Sequence, residues 1–301
     1  MRSKSGWAWT AIAMWTLMAH FSGGSWPALI VLATICYGVM KMMPENTEDI
    51  AKSKLYCFMQ LIAVFLLLTQ LLPLSAQYWP GKYADKIIPS VLLILGAYSV
   101  MKRPERIAGI LFWAMAILLI PLGLAGGRDL RLEWIAPSHF GVSVWMVPTM
   151  FIPILMRFAA GKGNDLKWYK RIVLVGIIMW IAISGVLSHP VAAILETPFR
   201  EAGMVLSMGA YSRFESIVSV TLTIGWYGLS SMLFLAVYRC IEGLNIKKAL
   251  GIVIFTILVL TSVIKGVRIS PAITVIYIIF VWILFPNFDL KKRSKKSEKS
   301  T

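Results

Sequence analysis

One stretch of the chain places hydroxyl groups where a helix would align them. From Glu215, residues Ser219, Thr223, Trp226 and Ser230 follow at spacings of four, four, three and four. On a helix these positions stack on one face. The opposite face would carry Val218, Leu222, Leu229 and Leu233, as lipid or packed protein requires. Hard cations take oxygen ligands, so Ser219 and Thr223 are candidate Na⁺ ligands, while Trp226 and Ser230 could wall and orient a small polar molecule. The same hydroxyls could instead join helices, and Gly225 and Gly228 offer the close-packing surface that such joints use.

A second stretch contains Gly141, Ser143, Trp145, Pro148, Thr149 and Pro153. Two prolines and a glycine within about a dozen residues free backbone carbonyls and are expected to break or kink a helix. A broken helix would offer N–H and C=O groups to a zwitterion. The candidate ligand contacts are therefore Gly141, Ser143, Trp145 and Thr149, with Trp226 and Ser230. A proline kink relieved by neighbouring helices is the plainer reading.

Other chemistry has little to stand on. There is no Walker loop, HExxH, GxSxG or paired acidic cluster, so the residues point away from an enzyme and call for no cofactor. No Asp, Glu, Lys or Arg occupies the centre of an apolar run, which argues against a proton-driven pump. His20, His139 and His189 stand singly at the ends of apolar runs and read as interfacial. Gln60, Thr69 and Gln70 read as interhelical hydrogen-bonding groups. Cys36, Cys57 and Cys240 have no CxxC or His/Cys spacing and read as small buried hydrophobes.

The elements that must position these residues follow from composition. Of 301 residues, 58% are hydrophobic and only 15% charged, against about a quarter charged in soluble domains. Mean hydropathy is +0.75. A soluble enzyme, a disordered chain and a disulfide scaffold are excluded. The chain reads as an all-α polytopic membrane protein. Apolar runs near 7–21, 26–42, 56–78, 87–101, 107–125, 140–160, 172–189, 217–238, 249–264 and 271–285 predict about ten transmembrane helices within a bundle over 1–288, and 289–301 is a basic tail.

The net charge of +16 sits between those runs, so topology and anionic lipid explain it better than nucleic acid. With the N-terminus inside, 22 of the 30 Lys and Arg fall on the cytoplasmic side. Both termini are predicted to be cytoplasmic, with the tail Lys291-Lys292-Arg293-Ser294-Lys295-Lys296 at an anionic leaflet. Residues 7–42 read as a tight hairpin. The alternative, one helix broken at Gly23-Gly24-Ser25, would run about 54 Å against a hydrocarbon core of about 30 Å. A cleaved signal peptide fits poorly, because His20-Phe21-Ser22 is no small-x-small site. Ten spans split five and five must enter the membrane in opposite senses, the parity of a LeuT-like inverted-repeat transporter, although no internal sequence repeat is visible.

Two segments resemble a known family. Pro89–Pro137 contains Ala97, Tyr98, Val100, Lys102, Glu105, Arg106, Ile107, Ala108 and Pro137 in the order of an "AYxV"-like turn, a basic loop, a long apolar helix and an "LxP" closure. In the second, Arg213, Phe214, Glu215 and Ser216 lead into a Trp-bearing helix, as an "ERxES" segment does. Together they resemble spore germination permeases, the B-type subunits of bacterial germinant receptors. The resemblance spans roughly 44–285. It implies an amino acid/polyamine/organocation transporter fold of ten helices in a spore inner membrane, beside A-type and C-type receptor subunits, sensing a small nutrient such as an amino acid. Two other functions remain open: a Na⁺-coupled or uniporting amino acid permease, and a non-binding membrane scaffold.

Overall fold

The computed structural model describes residues 6–20, 26–42, 53–79, 81–102, 104–129, 131–134, 144–160, 166–195, 198–205, 215–267 and 269–284. All regular structure among them is helical. The helices are α1 (Gly6–His20), α2 (Trp26–Met42), α3 (Lys54–Leu71, extended by a 3₁₀ segment Leu72–Tyr78), α4 (Ala84–Lys102) and α5 (Pro104–Asp129). They continue with a 3₁₀ turn at Leu132–Trp134, α6 (Met146–Ala160), α7 (Leu166–Leu187) and two short helices, α8 (His189–Ile194) and α9 (Pro198–Val205). Finally come α10 (Glu215–Gly243), α11 (Lys248–Ile264) and α12 (Pro271–Ile279), which ends in a π turn over Phe280–Leu284.

Local chemistry sets several boundaries. Ser53 caps α3 by accepting from the Tyr56 N–H. Proline occupies the first turn of α2, α5, α8, α9 and α12, where its missing N–H costs no helix bond. α11 closes on Gly266 at φ +65°, with Gly266 N–H donating to Val263 O and Val267 N–H to Ser262 O. That is the paired bonding of a left-handed helix stop. Asn245, at φ 60°, closes α10 in the same way.

The centre of the bundle is built from α1 and α10. Every residue of α1 except Trp7 is buried, and α10 is buried nearly all round from Gly225 to Val237. A helix apolar on every side belongs in such a core. The two meet closely because Gly225 lies against Thr16 and Gly228 against Ile12; a Cβ at either glycine would land on those side chains.

These contacts make α1 and α10 antiparallel. α3 also opposes α10, since Trp79 Nε1 reaches Thr223 at one end and the Cys57 and Cys240 thiols pair at the other. Phe158 packs edge-on against Tyr56, bringing the end of α6 to the start of α3. α2 runs with α6, because Cys36 donates to Met150 O and Arg157 to Met40 O. α7 runs with α1, with Trp168 on Trp7 and Gly176 against Met18. α12 opposes α3 through Gln70–Thr274 and Tyr277–Met59. Successive long helices therefore alternate in direction, and α1 and α2 point opposite ways while both pack on α6 and α7. α1 also packs on α6, α2 on α7, α3 on α10 and α4 on α11.

Two ends result. The Trp7 end carries Lys41, Lys54, Lys102, Arg157, Lys170, Arg171, Arg239 and Lys248. The Tyr78 end carries Lys82, Lys86, Arg131, Arg200 and Lys265. Between them the outer surface is apolar: Ile94 on α4, Trp113 and Ile117 on α5, Ile257 and Leu258 on α11, and Ile273 and Ile276 on α12 are all exposed. An exposed apolar belt of this extent needs lipid. Four helices among the described residues, over Lys54–Tyr78, Ala84–Lys102, Trp168–Leu187 and Ser216–Gly243, are long and apolar enough to cross a bilayer. The chain is an α-helical membrane protein.

Candidate functional site

The hydroxyl stripe of α10 divides into two halves. Ser219 and Thr223 are half-buried near the Tyr78 end. Thr223 Oγ1 donates to Ser219 O at 2.7 Å and accepts from Trp79 Nε1 at 2.9 Å. One lone pair of that hydroxyl is left over, so the pair presents less free oxygen than its spacing suggested. Trp226 and Ser230 are fully buried. The Trp226 indole meets the His20 ring edge-on at 5.3 Å, and His20 in turn hydrogen-bonds Tyr78 OH. Ser230 fills the space above Gly96, where a Cβ would displace it. Val218, Leu222, Leu229 and Leu233 are buried as well, so the face opposite the stripe packs on protein.

α6 is continuous across Pro153 over the described residues, and Pro148 falls in its first turn, where the lost donor is free in any helix. Thr149 is fully buried and donates to Trp145 O at 2.8 Å. Gly141 and Ser143 lie outside the described residues. Back-bonding of this kind recurs at Thr10, Thr16, Thr221, Thr256 and Thr261. It satisfies hydroxyls inside the bilayer without any ligand.

The polar atoms without such partners differ. Trp226 Nε1, Ser230 Oγ and both amide atoms of Gln60 are buried with no hydrogen-bond partner. An unsatisfied buried group costs about 1–3 kcal/mol, a penalty that a bound water or ligand group would relieve.

Trp145 stands elsewhere, on the wall of a cavity of about 500 Å³. The cavity lies at the Tyr78 end, between the last turns of α3, the first turn of α4, the end of α11 and the start of α12. Its polar lining is Thr69, Gln70, Asp85, Lys86 and Ser262; Leu74, Ile264, Val267 and Trp145 supply apolar walls. Asp85 and Lys86 are exposed at the first turn of α4. Gln70 is fixed by Nε2 donating to Thr274 Oγ1 at 2.6 Å, leaving Oε1 without a partner. A carboxylate, an ammonium and an aromatic wall around one space suit a small zwitterion with an apolar side chain. Of the sequence-expected contacts that lie among the described residues, Trp145 alone lines this cavity. Asp85 and Lys86 escaped sequence reading because adjacent opposite charges at a helix start are common at a membrane surface. Nothing in the sequence brings residues near 70, 85, 145 and 265 together.

Two further contacts were not legible. Cys57 and Cys240 are partners across α3 and α10, and His20 is buried in an aromatic cluster instead of facing an interface. Among the described residues no three His, Cys, Asp or Glu gather as a metal would need. No protein-family model and no curated protein matches the chain.

Proposed function

We propose that the chain is a transporter-like membrane protein of ten crossings whose cavity at the Tyr78 end takes a small zwitterionic nutrient. We further propose that it works as the membrane subunit of a spore germinant receptor, in the spore inner membrane beside A-type and C-type partners. The cavity carries the ligand reading, because it joins Asp85, Lys86 and Trp145 around one space of about 500 Å³, room enough for an amino acid. The alternating directions of α1–α7 and α10–α12 support ten crossings. Contacts between helices five crossings apart, α1 with α6 through α4 with α11, are what a 5+5 inverted repeat would give. The surplus of Lys and Arg at the Trp7 end supports placing that end and both termini in the cytoplasm. The germination role rests on the segments around Pro89–Pro137 and Arg213–Ser216.

The test is a thermal-shift screen of the purified protein in detergent against the twenty amino acids and simple sugars. Millimolar ligand at micromolar affinity stabilises by about 4 kcal/mol. A hit that Asp85→Asn or Lys86→Gln weakens about tenfold supports the reading; silence across the panel from well-folded protein overturns it. Counterflow of labelled ligand in liposomes then separates permease from sensor.

A further inference from the structure

At the Trp7 end, α2 and α7 form a groove whose two flanks carry the same sequence of chemistry. On α2, Ile30, Thr34, Tyr37 and Lys41 follow at spacings of four, three and four; on α7, Lys170, Leu174 and Ile178 follow at four. Each set occupies one strip of its helix. The strips face one groove because Tyr169 OH donates to Ala33 O at 3.1 Å and Lys170 Nζ sits 4.8 Å over the Tyr37 ring. Lys41 and Lys170 are both exposed, whereas the Arg171 guanidinium lies 4.8 Å over Trp168, which stacks on Trp7 of α1, and so belongs to the other flank of α7.

The Tyr37 ring holds the Lys170 cation at one depth while leaving N–H groups to bind an anion. Deeper in the groove the strips turn apolar, with Ile30 41%, Leu174 58% and Ile178 57% exposed. A soluble anion would use the cations and ignore that strip. A phospholipid would use both, which decides between the two sources of phosphate.

We propose that this groove binds an anionic phospholipid, with the phosphate between Lys41 and Lys170 and an acyl chain along Ile30, Leu174 and Ile178. The test is native mass spectrometry of the detergent-solubilised protein titrated with phosphatidylglycerol and, in parallel, phosphatidylcholine. Phosphatidylglycerol should bind preferentially, and Lys41→Gln with Lys170→Gln should weaken it roughly thirtyfold, about fivefold per cation. Lys41→Arg with Lys170→Arg should retain binding. Lys102→Gln with Arg106→Gln, the same charge loss at the same end, should change it less than twofold. Equal binding by wild type and the Gln pair, an equal loss in the Lys102/Arg106 control, or displacement by glycerol phosphate at matched concentration would each overturn the proposal.

Discussion

The α1–α10 core and the α4–α11–α12 flank are built from similarly apolar helices, yet they use those residues in opposite ways. In the core, Trp9, Ile12, Met14, Trp226, Met232 and Phe234 are fully buried, and glycines let the two backbones approach. On the flank, Val91, Ile94, Val253, Ile254, Ile257, Leu258 and Ile276 face outward. Lipid is as apolar as leucine, so packing, and not withdrawal from water, separates these regions. The flank carries the cavity, at the Tyr78 end around Gly266.

Substitutions should divide along the same line. Trp226→Ala should have the largest effect, about 3–5 kcal/mol, read as a fall in melting temperature or loss of monodisperse protein. A mild effect there would mean that the core is looser than its burial implies. Gly225→Ala should follow at about 1–3 kcal/mol, because the new methyl meets Thr16. Adding Thr16→Ala should recover at least half of that loss, since it removes the obstructing hydroxyl. If it recovers none, the α1–α10 contact is not what the glycine protects. Gln70→Ala removes the bond to Thr274 and should cost about 0.6 kcal/mol, the average for interhelical hydrogen bonds in membranes. Ile257→Ala, on the lipid-facing side of α11, should stay within about 0.5 kcal/mol; a loss comparable to Trp226→Ala would erase the distinction between core and flank.

Helix positions were legible because an apolar run long enough to need burial has few alternatives to a helix. The run at 249–264 becomes Lys248–Ile264, and that at 56–78 becomes Lys54–Tyr78 with a 3₁₀ end. The short helices α8 and α9 were not foreseen. At six and eight residues they are too brief to leave a clear periodic signal. The α10 stripe was legible as a helix face, but which neighbour each face meets was not, and α10 turned out to be packed on both sides. Among the described residues, the cavity lining was legible in the sequence only at Trp145. The cavity depends on where four separate segments end in space, and hydropathy carries no information about that. Likewise, the spacing of Cys57 and Cys240 along the chain hides their contact, which arises from α3 and α10 running antiparallel.

The most direct test of the account is thiol labelling of Val267→Cys in intact cells with a membrane-impermeant maleimide. Val267 lines the cavity and is 43% exposed, while Cys36, Cys57 and Cys240 are all fully buried, so the native background should stay silent. The account predicts labelling from outside the cell, slowed by an equimolar mixture of the twenty amino acids, with Lys41→Cys protected until the cells are permeabilised. Labelling of Val267→Cys only after permeabilisation, or at the same rate with and without amino acids, would contradict it.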